Sequence, residues 1–135
     1  MGRSAGPFTK NARGSGELRY REIEPKRLKV LRQRYGHRVR VSRKDYELKY
    51  CSAIEFQGKP VAGLCCPGEH EIYIDASNEA DIPETLLHEL MHAEISEAGL
   101  RQMESWSSDT EEVLCELVAK WVSHSFKLQI RKSPA

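Results

Sequence analysis

From Arg38 onward, the apolar residues of this chain change their spacing once, after Asp75, and this change limits the fold more than any other feature. Before Asp75 they mostly alternate with polar residues, which is typical of half-buried strands. After Asp75 they recur every three or four residues, which is typical of amphipathic helices. We therefore expect an α+β fold, with a short antiparallel β-meander followed by packed helices.

One helix is predicted before the strands. The segment PKRLKVLRQRYG carries Leu28, Leu31 and Tyr35 at helical spacing. Pro25 suits the first turn of a helix and Gly36 suits its end. The N-terminal helix is therefore expected between these two residues.

The strand-like segments are HRVRVSR, YCSAIEF, VAGLCC and EIYID. YCSAIEF and VAGLCC flank the turn-like QGKP, so we expect them to form a hairpin. With Phe56 opposite Val61, Cys51 falls opposite Cys66. EIYID is expected to be a further strand, Glu71 to Asp75, with both isoleucines on one face.

Two helices are predicted after Asp75. Asp81, followed by Pro83 and Glu84, is a capping-box start, and the helix is expected to end near Gly99. A last helix is expected from about Asp109 to Leu128. Its main apolar stripe consists of Leu114, Leu117, Val118, Trp121 and Ser125.

The length of 135 residues favours one domain. Residues 1–16 are rich in Gly, Ser, Arg and Lys without periodicity, and we expect a disordered tail there and a single domain over residues 17–135. No stretch approaches the roughly 20 apolar residues that cross a bilayer, and the N-terminus lacks the apolar centre of a secretion signal. We expect a cytoplasmic protein that has no membrane partner.

Charge is divided unevenly along the chain. Residues 1–50 contain 15 Lys and Arg against 5 Asp and Glu, and the remaining residues contain 6 against 15. The basic segment RVRVSRK could contact nucleic acid or pair with the acidic half of the same protein. No aromatic interleaving or known reading motif accompanies it, which argues against nucleic acid.

The helix after Asp81 contains HELMH, in which His88 and His92 are four residues apart. At this spacing two imidazoles share a helix face and can bind one zinc ion. Glu89 can then take a proton from a water on the metal and deliver it to a leaving amine. The alternative is an ordinary amphipathic helix with two histidines, but the apolar neighbours of the motif favour the zinc site.

A catalytic zinc ion needs a third protein ligand. A third histidine in the pattern HExxHxxGxxH is absent, and carboxylates open the last helix at Asp109, Glu111, Glu112 and Glu116. Helical phase relative to the predicted stripe favours Glu111. Glu112 and Glu116 are four residues apart, so that one could bind metal while the other supports a histidine.

The order EIYID, ETLLHELMHAEISEAGL, EEVLCELVAKWV resembles the minimal gluzincin-like zinc peptidases of phage and bacterial genomes, distant relatives of the ImmA/IrrE-type metallopeptidases. The resemblance covers roughly residues 51–122 and implies a zincin-like domain that hydrolyses a peptide or protein substrate. It implies that His88, His92 and Glu112 bind Zn²⁺ and that Glu89 is the base. The alternative function is a non-catalytic zinc-fold module that binds nucleic acid or a protein.

Other residues have candidate roles in such a site. The candidate oxyanion donors are Tyr50, His70, Tyr73 and His124. The VAGLCC strand could bind an extended peptide along its edge. Gly63 could then allow close approach of a substrate backbone or mark a bulge.

The cysteines suggest two further alternatives. Cys51, Cys65, Cys66 and His70 could form a structural zinc site, although adjacent cysteines in a strand point to opposite faces. A disulfide between Cys51 and Cys66 is conceivable, but a cytoplasmic location disfavours it. Cys115 is expected to pack as a small apolar residue.

Overall fold

The computed structural model describes residues 8–12 and 16–126. This part of the chain contains three α-helices and seven strands, which confirms the α+β class. In chain order the elements are β1 Phe8–Ala12, β2 Gly16–Glu22, α1 Pro25–Tyr35, β3 Arg38–Val41, β4 Lys44–Phe56, β5 Lys59–Pro60, β6 Gly63–Cys66, β7 Glu71–Asp75, α2 Ile82–Glu97 and α3 Ser108–Ser125.

Part of the predicted N-terminal tail belongs to the sheet. β1 pairs antiparallel with β2, with Phe8 opposite Tyr20 and Ala12 opposite Gly16. The predicted disorder is therefore wrong for residues 8–12 and for Gly16. The rest of that stretch lies outside the described residues, as do residues 127–135, where the last helix was expected to end.

α1 begins and ends where the sequence predicts. Pro25 lies in its first turn, and Gly36 follows it with a φ of 97°. Residues with a Cβ atom rarely adopt a positive φ, so the helix ends at this glycine. Leu31 is fully buried, and Leu28 and Tyr35 pack against the same core.

The sheet is mixed, so the predicted antiparallel meander is wrong. The strand order is β1-β2-β4-β7-β6, and β3 and β5 also pair with β4. β7 is parallel to β4, with Leu48 opposite Ile72, and antiparallel to β6. Ile72, Tyr73 and Ile74 are all buried. A strand that is apolar on both faces suits an interior position with a neighbour on each side.

The turn after β4 is tighter than predicted. Gln57 and Gly58 have φ values of 54° and 77° and place Phe56 opposite Lys59 instead of Val61. Two consecutive positive φ values match the twist of a two-residue hairpin turn. The predicted register is therefore wrong by two residues.

The predicted alignment of Cys51 with Cys66 is also wrong, because β6 pairs with β7 and Cys66 lies opposite Glu71. Cys65 packs in the core that joins one sheet face to α1 and α2, and Cys51 and Cys66 pack on the other face. All four cysteines are buried thiols. Among the described residues, these cysteines and His70 form no metal-binding group.

α2 begins where predicted, but without the predicted cap. Pro83 lies in its first turn, and the Asp81 side chain makes no cap hydrogen bond to the helix. The Asp81 carboxylate instead accepts a hydrogen bond from Asn78 at 3.1 Å. Gly99, with a φ of 74°, follows the end of the helix as expected.

α3 is rotated relative to the prediction. Its buried residues are Glu111, Cys115 and Ala119, whereas Leu117 and Trp121 of the predicted stripe are 63% and 64% exposed. The small side chains of Cys115 and Ala119 allow α3 to approach α2 closely. The predicted stripe is therefore wrong, because α3 contacts the protein through a carboxylate and two small residues.

Ion pairs between residues 1–50 and the rest of the chain neutralise part of their opposite charges. The pairs are Arg34 with Glu79, Lys44 with Glu97 at 3.7 Å, and Lys49 with Glu71 at 3.1 Å. That the other basic residues do not contact nucleic acid stays a prediction. Within residues 8–12 and 16–126, no helix combines the length and the hydropathy needed to cross a membrane.

Two leucine truncations test the orientation of α3. Leu86→Ala removes a buried side chain of the core and should lower the free energy of unfolding by about 2–5 kcal/mol. Leu117→Ala should change it by less than about 0.5 kcal/mol, because the side chain is exposed. Urea unfolding followed by circular dichroism measures both. A loss of about 2 kcal/mol in Leu117→Ala would contradict the orientation described here.

Candidate metal centre

His88 and His92 lie one helical turn apart on α2 and face the same side. Their ring centroids are 5.0 Å apart. The His88 side chain is 23% exposed and the His92 side chain 5%. Because residues four apart share one helix face, the two imidazoles converge at a point that lies partly open to solvent.

Glu112 on α3 meets both histidines. Its Oε1 atom lies 2.8 Å from Nε2 of His88 and 2.9 Å from Nε2 of His92. Ligand atoms of the three residues all lie within 4.8 Å of one another. Two imidazole nitrogens and one carboxylate oxygen are the donor set of many catalytic zinc sites, so these residues fit that metal.

The pKa of the Glu112 carboxyl reflects this position. Burial raises it, but hydrogen bonds and charge from His88 and His92 outweigh burial and lower the pKa below its usual range. The group is therefore an ionised carboxylate, the form that binds metal ions.

Glu89 borders the same site without being one of the converging groups. It is 5% exposed and lines a cleft of about 330 Å³ together with the two histidines and Glu112. The other cleft residues are Phe56, Val61, Ala62, Gly63, Leu64, Glu84, Thr85, Glu116 and Ala119. The cleft therefore combines the α2 motif, one face of α3 and the strand β6.

Glu111, the ligand that helical phase favoured, contacts the other side of His92. Its Oε2 atom accepts a hydrogen bond from Nδ1 of His92 at 2.5 Å. Arg101 donates to both carboxylate oxygens, at 2.8 and 2.6 Å, and Trp106 donates to Oε1 at 3.1 Å. The hydrogen bonds from Arg101 lower the pKa of Glu111 to about 2; burial opposes them, and those from His92 and Trp106 add to them.

Sequence reasoning did not identify Arg101 or Trp106. Both lie between α2 and α3, in a segment without strong periodicity. The sequence contained one signal for these two residues: helical phase placed Glu111 near the buried side of α3. A buried carboxylate requires hydrogen-bond donors nearby. The other two candidate ligands, Asp109 and Glu116, are exposed, and Glu116 pairs with Lys120 at 2.9 Å.

The four candidate oxyanion donors are not among the residues that line the cleft. Tyr50 donates to the Gly36 carbonyl at 2.7 Å and Tyr73 donates to Glu71 at 2.9 Å. The other two are His70, whose ring packs against Tyr46, and the exposed His124, which lies 3.3 Å from Glu84 on the rim of the cleft.

Gly63 allows β6 to pack tightly on α2. A Cβ atom at this position would lie 2.8 Å from Cγ2 of Thr85, 2.9 Å from Cγ of Glu89 and 3.0 Å from the carbonyl oxygen of Tyr73. Gly63 pairs with Ile74 in the regular β6–β7 ladder, so the predicted bulge is not observed there. The glycine therefore sets the distance between the strand and Glu89.

Comparison with protein-family models, with curated proteins and with solved structures finds no match to the chain. The chemistry that the site can perform therefore follows from its own residues. The site combines three converging ligand atoms, the buried Glu89 beside them and part of strand β6 in a single cleft.

Two glycine substitutions test the packing at Gly63. Gly63→Ala should lower the free energy of unfolding by about 1–3 kcal/mol, because the new methyl group overlaps α2 and a backbone carbonyl. Gly68→Ala is the control, since a Cβ there would meet nothing within 4 Å. Thermal and urea unfolding of the two variants measure the difference. Equal stability would refute the close approach.

Proposed function

We propose that this protein is a zinc-dependent peptidase of the minimal gluzincin-like kind. His88, His92 and Glu112 hold the metal, and Glu89 acts as the general base. The observation that carries the proposal is the approach of both histidine Nε2 atoms to one oxygen of Glu112, at 2.8 and 2.9 Å, in the cleft that Glu89 lines.

The two histidines and Glu112 suit a catalytic zinc site better than a structural one. Three protein ligands leave one position of a tetrahedral site for water, and the partly exposed His88 lies on the open side. When bound, zinc supplies a Lewis acid that lowers the pKa of a water molecule toward neutrality. The protein supplies the positions of the ligands and the proton acceptor.

Glu89 carries out the proton transfers. It is adjacent to His88 in the chain and borders the cleft, so its carboxylate can reach the attacking water without occupying a ligand position. As the water oxygen bonds to the substrate carbonyl carbon, Glu89 accepts the released proton. As the C–N bond breaks, Glu89 delivers that proton to the amine nitrogen.

β6 offers a binding edge for the substrate backbone. It is the last strand in the described strand order and borders the cleft through Gly63 and Leu64. Leu64, Cys65 and Cys66 are buried as whole residues, so the backbone groups that a substrate can reach lie at the start of the strand, at the half-buried Gly63 and the exposed Ala62 before it. Hydrogen bonds to these groups would hold an extended peptide with little dependence on its sequence.

Metal analysis tests the ligand set. The purified protein should bind about one equivalent of zinc, and Glu112→Gln and His92→Ala should weaken binding by at least about tenfold. Glu116→Gln is the matched control on α3 and should retain zinc, because Glu116 pairs with Lys120 instead. Less than about 0.2 equivalents in the unaltered protein, without recovery after zinc is added, would refute the metal site.

Glu89→Gln tests the base. The variant keeps the shape of the side chain and every proposed ligand, so it should retain zinc. Hydrolysis of a fluorogenic peptide library should fall by about 10²–10⁴-fold, the usual contribution of a general base. Zinc content measured on the same samples separates loss of the base from loss of the metal. Unchanged turnover in a zinc-loaded variant would contradict the assignment.

A further inference from the structure

His92 is held at both ring nitrogens by neighbouring residues of α3. Nε2 lies 2.9 Å from Glu112, and Nδ1 lies 2.5 Å from Glu111. Adjacent residues of a helix point about 100° apart. Glu111 and Glu112 therefore reach opposite edges of one imidazole ring.

Glu111 is itself held rigidly by the segment between α2 and α3. Arg101 donates from Nε to Oε1 and from Nη2 to Oε2, which is a two-point contact that fixes the plane of the carboxylate. Trp106 adds a third donor from its indole nitrogen. Together with His92 these residues supply four hydrogen bonds to a side chain that is 6% exposed.

We propose that Glu111 is a positioning residue, which fixes His92 with the proton on Nδ1 and the lone pair of Nε2 directed at the metal site. A carboxylate can only accept from Nδ1, so this contact selects one tautomer of the ring once a metal replaces the contact of Nε2 with Glu112. Arg101 and Trp106 hold Glu111 in the orientation that this selection requires. The inference rests on the proposed function, because it assigns the role of Glu111 toward the same metal.

A purely structural role would have different consequences. If Glu111 only joined α3 to α2, its replacement would lower stability and leave the tautomer of His92 and the affinity of the folded protein for zinc unchanged. A hydrogen bond that orients a ligand histidine typically contributes 10–100-fold to metal affinity. The tautomer and the zinc affinity therefore distinguish the two roles.

Glu111→Gln is the primary test. Zinc affinity, measured by competition with a chromophoric chelator, should fall by about 10–100-fold. Nitrogen-15 NMR of the His92 ring is recorded on the metal-free Glu112→Ala background, which removes the second carboxylate from Nε2. The ring should show mainly the Nδ1–H tautomer in this background and a mixture of tautomers once Glu111→Gln is added. Glu104→Gln is the control, because it removes the same charge from an exposed position between Arg101 and Trp106.

Arg101→Lys gives a second measurement if Glu111→Gln does not fold. Lysine retains the charge but not the two-point contact, so zinc affinity should fall by about 3–10-fold. This loss is smaller than the loss expected for Glu111→Gln, because the carboxylate itself remains. Unchanged zinc affinity together with an unchanged His92 tautomer in the folded variants would overturn the proposal.

Failure of this inference is distinguishable from failure of the proposed function. The NMR measurement requires neither metal nor hydrolysis. A protein that binds zinc through an oriented His92 but cleaves no peptide would contradict the peptidase and support the role of Glu111. A protein that cleaves peptides while Glu111→Gln leaves the tautomer of His92 unchanged would support the peptidase and contradict the role of Glu111.

Discussion

The position of α3 depends on the contacts around one buried imidazole, that of His92. Glu111 and Glu112 approach its two nitrogens, and Arg101 and Trp106 satisfy the remaining bonding capacity of Glu111. A buried carboxylate is costly unless it is saturated with donors, so α3 cannot rotate without losing this set of contacts. The network therefore explains why the helix leaves large apolar side chains in solvent and buries a glutamate.

A second constraint connects the helices to the sheet. Gly63 brings the backbone of β6 against Thr85 and Glu89, so that the edge of the sheet and the side chain of Glu89 border one cleft. β7 holds β6 in this position and is itself held by β4. The parallel pairing of β4 with β7 thus contributes to the site although neither strand supplies a candidate ligand. A regular antiparallel meander would not give this order of strands.

Features that depend on residues close together in the chain could be predicted from the sequence. Pro25 and Gly36 delimit α1, and the spacing of His88 and His92 is a local property of α2. The interior position of β7 could not be read in this way, because it depends on which strands lie beside it. Its three consecutive residues Ile72, Tyr73 and Ile74 were a sequence signal for an interior strand. The prediction instead followed the alternation of the two isoleucines with polar residues.

The choice between Glu111 and Glu112 as the candidate third metal ligand also depended on contacts that form only in the folded protein. A phase measured from Leu114 assumed that the most apolar face of α3 is the buried one, and Leu114 is 37% exposed. Arg101 and Trp106 determine the rotation of the helix together with His92, and their contacts with Glu111 exist only after folding. The family resemblance pointed to Glu112 because it compares patterns of residues and does not depend on helical phase.

The charges around His92 suit a cation in the proposed site. Arg101 compensates Glu111 on the Nδ1 side, so the negative charge of Glu112 remains on the side where the two Nε2 atoms converge. A divalent cation would find two nitrogen lone pairs and one carboxylate there, in the cleft that Glu89 also lines. The carboxylate of Glu112 would offset part of the charge of the cation. If the proposed function holds, a neutral peptide amide would add no net charge to such a site, whereas an anionic ester would.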